Sequence, residues 1–257
     1  MASGDGVFSG TRSGEGTQTV TMDYSTMKSN LSASISGSDS VKEDGTVKLT
    51  AAVSLNSTPF GKSVSIVPGA VWSSSDAGIA KADSSGIVTG VSTGTVTISY
   101  AANGVTLATK EITVKNNISK ASVTVPVLTY SGSALTPDIN VTMNGSTLTA
   151  GTDYTVTFSN NINAGDSASY SITGTGDYLG EKTGNFSIKK KDISIPVAKV
   201  LTYNGTEQTG LADGDGYTVT GGTGTDAGSY TATVTLTDTL NTEWADGSTE
   251  ASREISW

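Results

Sequence analysis

The 257-residue chain reads as an all-β protein made of small β-sandwich modules in tandem behind a short N-terminal arm. Three observations predict this. The first is composition: serine and threonine contribute 77 residues and glycine 31, while charged residues make up 15 % and hydrophobic residues 35 %. Ser, Thr and Gly are poor helix formers, whereas Val, Ile, Thr and Tyr suit a pleated strand. The second is pattern: short runs of alternating apolar and polar residues recur at intervals of about 8–12 residues, with Gly, Ser, Asp and Asn between them. The third is an internal repeat in the C-terminal half. Thirty-one glycines and five prolines stay below the share that marks low-complexity sequence.

The same composition removes several kinds of chemistry. The sequence has no histidine and no cysteine, so imidazole bases, thiolate nucleophiles, disulfides, and imidazole or thiolate zinc sites have no residues to build them. A net charge of −9 opposes a nucleic-acid partner, whose phosphates require Lys and Arg. No apolar run approaches the length of a membrane helix. No cofactor is expected.

Residues 1–30 form the arm. The alternating run Thr17–Tyr24 predicts one strand with Val20, Met22 and Tyr24 on one face, the candidate residues for docking on a partner. The longest apolar run near the N-terminus is Val7-Phe8, so no secretory signal is read there.

Residues 31–116 form the next module. Val47–Val53 alternates as one strand, followed by strands at Val71-Trp72, Ile87–Thr89, Val96–Tyr100 and Glu111–Val114. Within it, WSSSDAGIAKADSSGIVTGVSTGTVTIS at 72–99 resembles the bacterial Ig-like group 2 family. Trp72, Asp76, Ile79, Ala80, Gly86, Val88, Gly90, Gly94 and Ile98 fall on the family's pattern. The resemblance implies an Ig-like sandwich with Trp72, Ile79 and Ile98 in its core.

Residues 117–191 and 192–257 are two copies of one unit. VLTYSG at 127–132 returns as VLTYNG at 200–205, YTVT at 154–157 returns at 217–220, and Ala164-Gly165 returns as Ala227-Gly228. Lys189–Asp192 joins the copies. Their motifs, including DYTVTFSNNINAG and WADGSTEASREISW, resemble small Ig-like or β-grasp-like modules repeated in Gram-positive surface proteins and phage structural proteins. Tyr130, Tyr154, Tyr203, Tyr217 and Trp244 are expected in their cores. The second copy carries ten acids and two bases, so nearly all of the chain's negative charge belongs to it.

Carboxylates are the remaining catalytic option. Asp213, Asp215, Asp238, Glu243 and Asp246 supply them, but a glycosidase needs two carboxyls about 5–10 Å apart beside a cleft, and no cleft is specified. No catalytic residue is assigned. Asp213-Gly214-Asp215-Gly216 lacks the spacing of an EF-hand loop, so no metal site is assigned either; Asp213 and Asp215 are its weak candidates for Ca²⁺. The glycine clusters Gly174-Thr175-Gly176 and Gly221–Gly224 lack a phosphate-loop lysine and read as turns.

The expectation is a non-enzymatic structural or adhesion protein of a phage virion surface, such as a capsid decoration, head fibre or tail-surface protein. It would attach to virion proteins through its arm and be displayed in multiple copies, with a cell-surface carbohydrate or protein as a possible ligand. The alternative is a segment of a secreted bacterial cell-surface adhesin or stalk. Neither reading involves nucleic acid or membrane.

Overall fold

The computed structural model describes residues 5–12, 15–23, 31–55, 63–64 and 69–257, with side chains described for 31–54 and from 69 onward. The protein is all-β: several sheets, one short 3₁₀ turn at Ile118–Lys120, and no α-helix among the described residues. Contacts group the chain into two units. One is Met1–Lys120 with Thr149–Thr155 and Thr173–Glu181; the other is Ala121–Leu148 with Val156–Ile172 and Lys182–Trp257.

In the first unit the arm is a hairpin rather than a single strand. Asp5–Arg12 pairs antiparallel with Glu15–Asp23, Phe8 opposite Val20 and Gly6 opposite Met22. The side chains of Val20 and Met22, and all of Tyr24, lie outside the described residues. Beyond the arm, one sheet holds Leu31–Ser36, Thr50–Leu55 and Ser63–Val64; another holds Thr46–Lys48, Ile87–Gly90 and Ala80–Ala82. A third is built on the long hairpin of Gly94–Ala102 and Val105–Asn117, with Ala70–Ser74 beside the first strand and Ser40–Lys42 parallel to the second.

Alternation explains the interior. Along Gly94–Ala102, Val96, Ile98, Tyr100 and Ala102 are buried while the residues between them are not, the period-two burial of a strand with one face on a core. One cluster gathers Val41, Leu49, Val88, Ile98, Ile112 and Val114; a second gathers Ala51, Val53, Tyr100 and Ala102. Trp72 and Ile79 are half-buried against the first cluster, and Trp72 leans on Tyr100 with ring centroids 4.9 Å apart.

The run Val47–Val53, expected as one strand, divides into Thr46–Lys48 and Thr50–Leu55, which lie in different sheets. Leu49 is the hinge of this switch. It is buried, and its N–H donates to the Gly86 carbonyl at 2.8 Å. Gly86 has φ +84, and a Cβ there would lie 2.8 Å from Leu49 O and 2.9 Å from the Trp72 ring. Only glycine satisfies both the dihedral and the space.

The first repeat copy, most of which belongs to the second unit, forms a sheet in the order Leu128–Thr129, Glu181–Lys189, Gly165–Gly174, Tyr154–Ser159, and a smaller one from Ser122–Thr124, Asn140–Met143 and Ser146–Thr147. Val141, Ile172, Phe186 and Ile188 are buried, and Phe158 meets Phe186 edge-on at 6.0 Å. Tyr154, which contacts place with the first unit, is also buried, and Tyr130 is half-buried. The second copy's main sheet is Tyr217–Thr220, Thr231–Leu236 and Ser252–Ser256, and its core holds Ile193, Val234, Leu236 and Trp244. Trp244 is fully buried, donates its indole N–H to the Glu250 carbonyl at 3.0 Å, and meets half-buried Tyr217 at 6.2 Å. Tyr203, expected in this core, is 61 % exposed, because residues 194–204 form no strand that would carry it onto a sheet.

Gly86→Ala is expected to cost more than about 2 kcal/mol, since left-handed strain alone costs about 1–2 kcal/mol and the clash adds to it. Gly104 has φ +78 with nothing within 4 Å of its would-be Cβ, so Gly104→Ala should cost about 1–2 kcal/mol from strain alone. Denaturant melts of the two variants check the difference.

Candidate functional site

The structure does not bring the five candidate carboxylates together. Asp213 accepts the Val219 N–H at 2.6 Å, Asp215 pairs with Lys191 at 3.0 Å, and Asp246 pairs with Arg253 at 2.8 Å. Asp238 closes a local turn, and Glu243 lies on the short strand Thr242–Trp244. Among the described residues, no three Asp or Glu side chains gather in a way that could hold a metal ion. Asp213 and Asp215 are each engaged by a separate partner.

What the structure does build from polar side chains is a junction between the two repeat copies, inside the second unit. The chain passes from Glu181–Lys189 to Lys191–Ile193 with only Lys190 between the two strands. Lys191–Ile193 then pairs in parallel with Thr242–Trp244 of the second copy. Leading into that strand is the turn Asp238–Asn241. The Asp238 carboxylate accepts the backbone and side-chain N–H groups of Asn241 at 3.1 and 2.8 Å, and its carbonyl accepts the Thr242 hydroxyl at 2.5 Å.

Asn241 is 5 % exposed and reaches both copies. Its side-chain carbonyl accepts the Ala164 N–H of the first copy at 2.8 Å, and its backbone carbonyl accepts the Lys191 N–H at 2.9 Å. Lys190 reaches the Thr239 carbonyl at 2.5 Å. A shallow groove lies beside these residues, lined by Thr129, Ala164, Lys190, Leu240 and Glu243 among others.

A second amide does comparable work inside the first unit. Asn117, 6 % exposed, ends the strand Val105–Asn117. Its side-chain N–H donates to the Glu43 carbonyl at 3.1 Å, and its side-chain carbonyl accepts the Ser119 N–H and hydroxyl at 3.2 and 2.8 Å. Next to it Asn116 and Asn117 pair in parallel with Tyr178 and Leu179, and Lys115 donates to the Gly176 carbonyl at 2.7 Å. Asn117, Asn241 and Thr242 are the buried polar residues among those described, and all three stand where a strand leaves one sheet or enters another.

These amides carry no catalytic signature in the sequence, where carboxylates are the residues that suggest chemistry. The available signal was the Asp238-x-x-Asn241 spacing, since Asp and Asn side chains commonly close short turns against nearby backbone.

Charged groups carry local structure. The Ser85 hydroxyl and the Ile87 amide hold the Asp83 carboxyl below its ordinary value, and the Asp44 carboxylate holds the Lys120 ammonium above its own. Burial pushes the Tyr170 phenol up. These shifts move groups away from neutrality, the opposite of what general acid–base catalysis uses. Arg253 stacks over the Trp244 ring at 5.1 Å and donates to Asp246 and to the Ser248 hydroxyl, each at 2.8 Å. The guanidinium and the Ser248 amide hold the Asp246 carboxyl down at about 2.

Comparison with known proteins adds a limited likeness. No family model matches the chain, and no curated protein matches it. Among solved structures, domains 4 and 5 of the S-layer protein SbsC are 15 % identical over 62 % of this chain and 99 % of that one, with a TM-score of 0.28. A longer SbsC structure is 15 % identical over 87 % of this chain and 40 % of that one, with a TM-score of 0.29. Domains 5–6 of the same protein are 12 % identical over 86 % of this chain and 94 % of that one, at 0.28. Similarity at this level does not establish a shared fold. Among the described residues, no helix is long and apolar enough to cross a membrane.

Asn241→Ala leaves the Ala164 N–H without its partner and should destabilise the protein by about 1–3 kcal/mol. Asn204 makes an exposed side-chain turn onto Thr206, and Asn204→Ala should cost less than about 1 kcal/mol; thermal melts compare the two. Because the Asp246 carboxyl is depressed in the folded state, its contribution is present above the ordinary carboxylate range and is lost as pH falls through about 2. Asp246→Asn should therefore flatten the loss of stability between about pH 4 and 2, measured by denaturant titration across that window.

Proposed function

We propose that this chain is a non-enzymatic structural protein whose small Ig-like β-modules act as spacers on a bacterial cell surface. The observation that carries this reading is where the buried polar groups go. Asn117, Asn241 and Thr242, the buried polar residues among those described, are all engaged with backbone or turn groups at strand junctions. An active site leaves polar groups converging on a cavity, with protonation tuned toward the working pH; here they converge on the chain itself. The acidic second repeat copy fits a solvated outer surface, since like charge keeps such a surface soluble.

The virion setting expected from the sequence depends on docking by Val20, Met22 and Tyr24, whose side chains lie outside the described residues. The spacer role rests on residues that are described. Weak binding of surface glycans by arrayed copies is compatible with it, because avidity needs no strong single contact.

An epitope inserted at the Asn144-Gly145 hairpin turn, where both residues have positive φ, reports the location without disturbing a core. Antibody labelling of intact producing cells is the expected result. Label found only inside cells, or only on released particles, would overturn the cell-surface reading.

A further inference from the structure

The two repeat copies use one shared segment differently. In the first copy the VLTY segment adds to the main sheet: Leu128 and Thr129 pair in parallel with Ile188 and Lys189, and the Tyr130 N–H donates to the Lys189 carbonyl at 2.9 Å. Leu128 and Tyr130 are half-buried as a result. In the second copy the same four letters, Val200–Tyr203, belong to no strand, and Val200, Leu201 and Tyr203 are 101 %, 38 % and 61 % exposed.

The strand that would receive this segment is present. Ser252–Ser256 corresponds to Glu181–Lys189, Ile255 packing on the second copy's core where Ile188 is buried in the first. One of its edges pairs with Thr231–Leu236. Tyr230 and Trp257 exchange both backbone hydrogen bonds, at 2.7 and 2.8 Å, and the Leu236 N–H donates to the Ala251 carbonyl at 2.9 Å. Those bonds fix the phase of the ladder. Residues 251, 253, 255 and 257 aim their backbone groups at Thr231–Leu236, and Ser252, Glu254 and Ser256 aim theirs outward. Among the described residues no strand pairs with that outer edge. Ser256 stands where Lys189 stands in the first copy.

One backbone bond ties the start of this segment elsewhere in its own chain. Lys199 donates its N–H to the Gly210 carbonyl at 3.0 Å, which fastens the start of the VLTY segment to the short ribbon of Gln208–Thr209 and Thr223–Gly224. The first copy has Pro126 at the matching position, and proline has no N–H to make that bond. Each chain therefore carries one vacant receiving edge and one unused strand that matches it.

We propose that Val200–Tyr203 of one chain adds as a parallel strand to the Ser252–Ser256 edge of a second chain, linking copies of the protein through their acidic C-terminal repeats. Leu201 would face Ile255 and Thr202 would face Ser256, the register of the first copy. Backbone bonds supply the attachment and the exposed Val200, Leu201 and Tyr203 supply apolar burial. Because both partners are acidic, salt screens their repulsion and should strengthen the association.

The test uses the full chain in sedimentation equilibrium over a range of protein and salt concentrations. Self-association that tightens with salt is expected. Tyr203→Pro removes the donating N–H from a segment that holds no strand, and should weaken association by about tenfold or more, the equivalent of about 1.4 kcal/mol. Ser256→Pro removes the outward N–H of the receiving edge while sparing the ladder to Thr231–Leu236, and should do the same. An equimolar mixture of the two variants should recover a one-to-one complex, because one keeps the edge and the other keeps the strand. A wild-type chain that stays monomeric throughout, or a Tyr203→Pro chain that associates like wild type, would overturn the proposal. If Ser256→Pro proves unfolded by its melt, the Tyr203→Pro result decides alone.

Discussion

The buried side chain of Asn241 is the interaction on which the junction of the two repeat copies depends. A strand that leaves one sheet for another abandons the ladder that satisfied its backbone, and an unpaired N–H in the interior costs as much as a lost hydrogen bond. At this junction the orphaned group is the N–H of Ala164, which the Asn241 side-chain carbonyl accepts, while the Asn241 backbone carbonyl takes the Lys191 N–H at the start of the ladder to Thr242–Trp244. Asp238 and Thr242 hold Asn241 in place from its own side of the turn. The second copy is thereby joined to the first by backbone geometry, and the passage from Lys189 to Lys191 needs no flexible linker.

Asn117 solves the same problem in the first unit with a different set of partners. There the long strand ends in a 3₁₀ turn, and the amide satisfies the Glu43 carbonyl on one side and the Ser119 N–H on the other. An amide suits such a position because it donates and accepts at once. A carboxylate would bring a charge into a place where water is scarce, and an aliphatic side chain would make neither of these hydrogen bonds. The cores on either side supply little of this specificity, since their contacts are non-directional.

Much of the fold was legible in the sequence, because alternation and turn chemistry are local signals. The runs at Val71-Trp72, Ile87–Thr89, Val96–Tyr100 and Glu111–Val114 all fall in strands. The misses share a cause. Val47–Val53 alternates without interruption, yet Leu49 sits at a switch between two sheets that only Gly86 and Trp72, far along the chain, make visible. Tyr203 repeats the letters around Tyr130, yet it lies exposed in a segment that joins no strand, where Lys199 bonds the Gly210 carbonyl and the first copy has Pro126. The junction was least legible. Asn117 and Asn241 are ordinary polar letters in turn-rich sequence, and their importance comes from which distant backbone groups the fold leaves unpaired.

If Asn241 holds the two copies together, they open as one cooperative element of the second unit. Native-state amide hydrogen exchange measures this directly. The Ala164 and Lys191 amides should exchange only as slowly as the core amides of Ile188 and Val234, in a single opening event. Exchange of the Ala164 and Lys191 amides well ahead of those core positions would contradict the account, since it would mean that the junction opens while both cores stay closed.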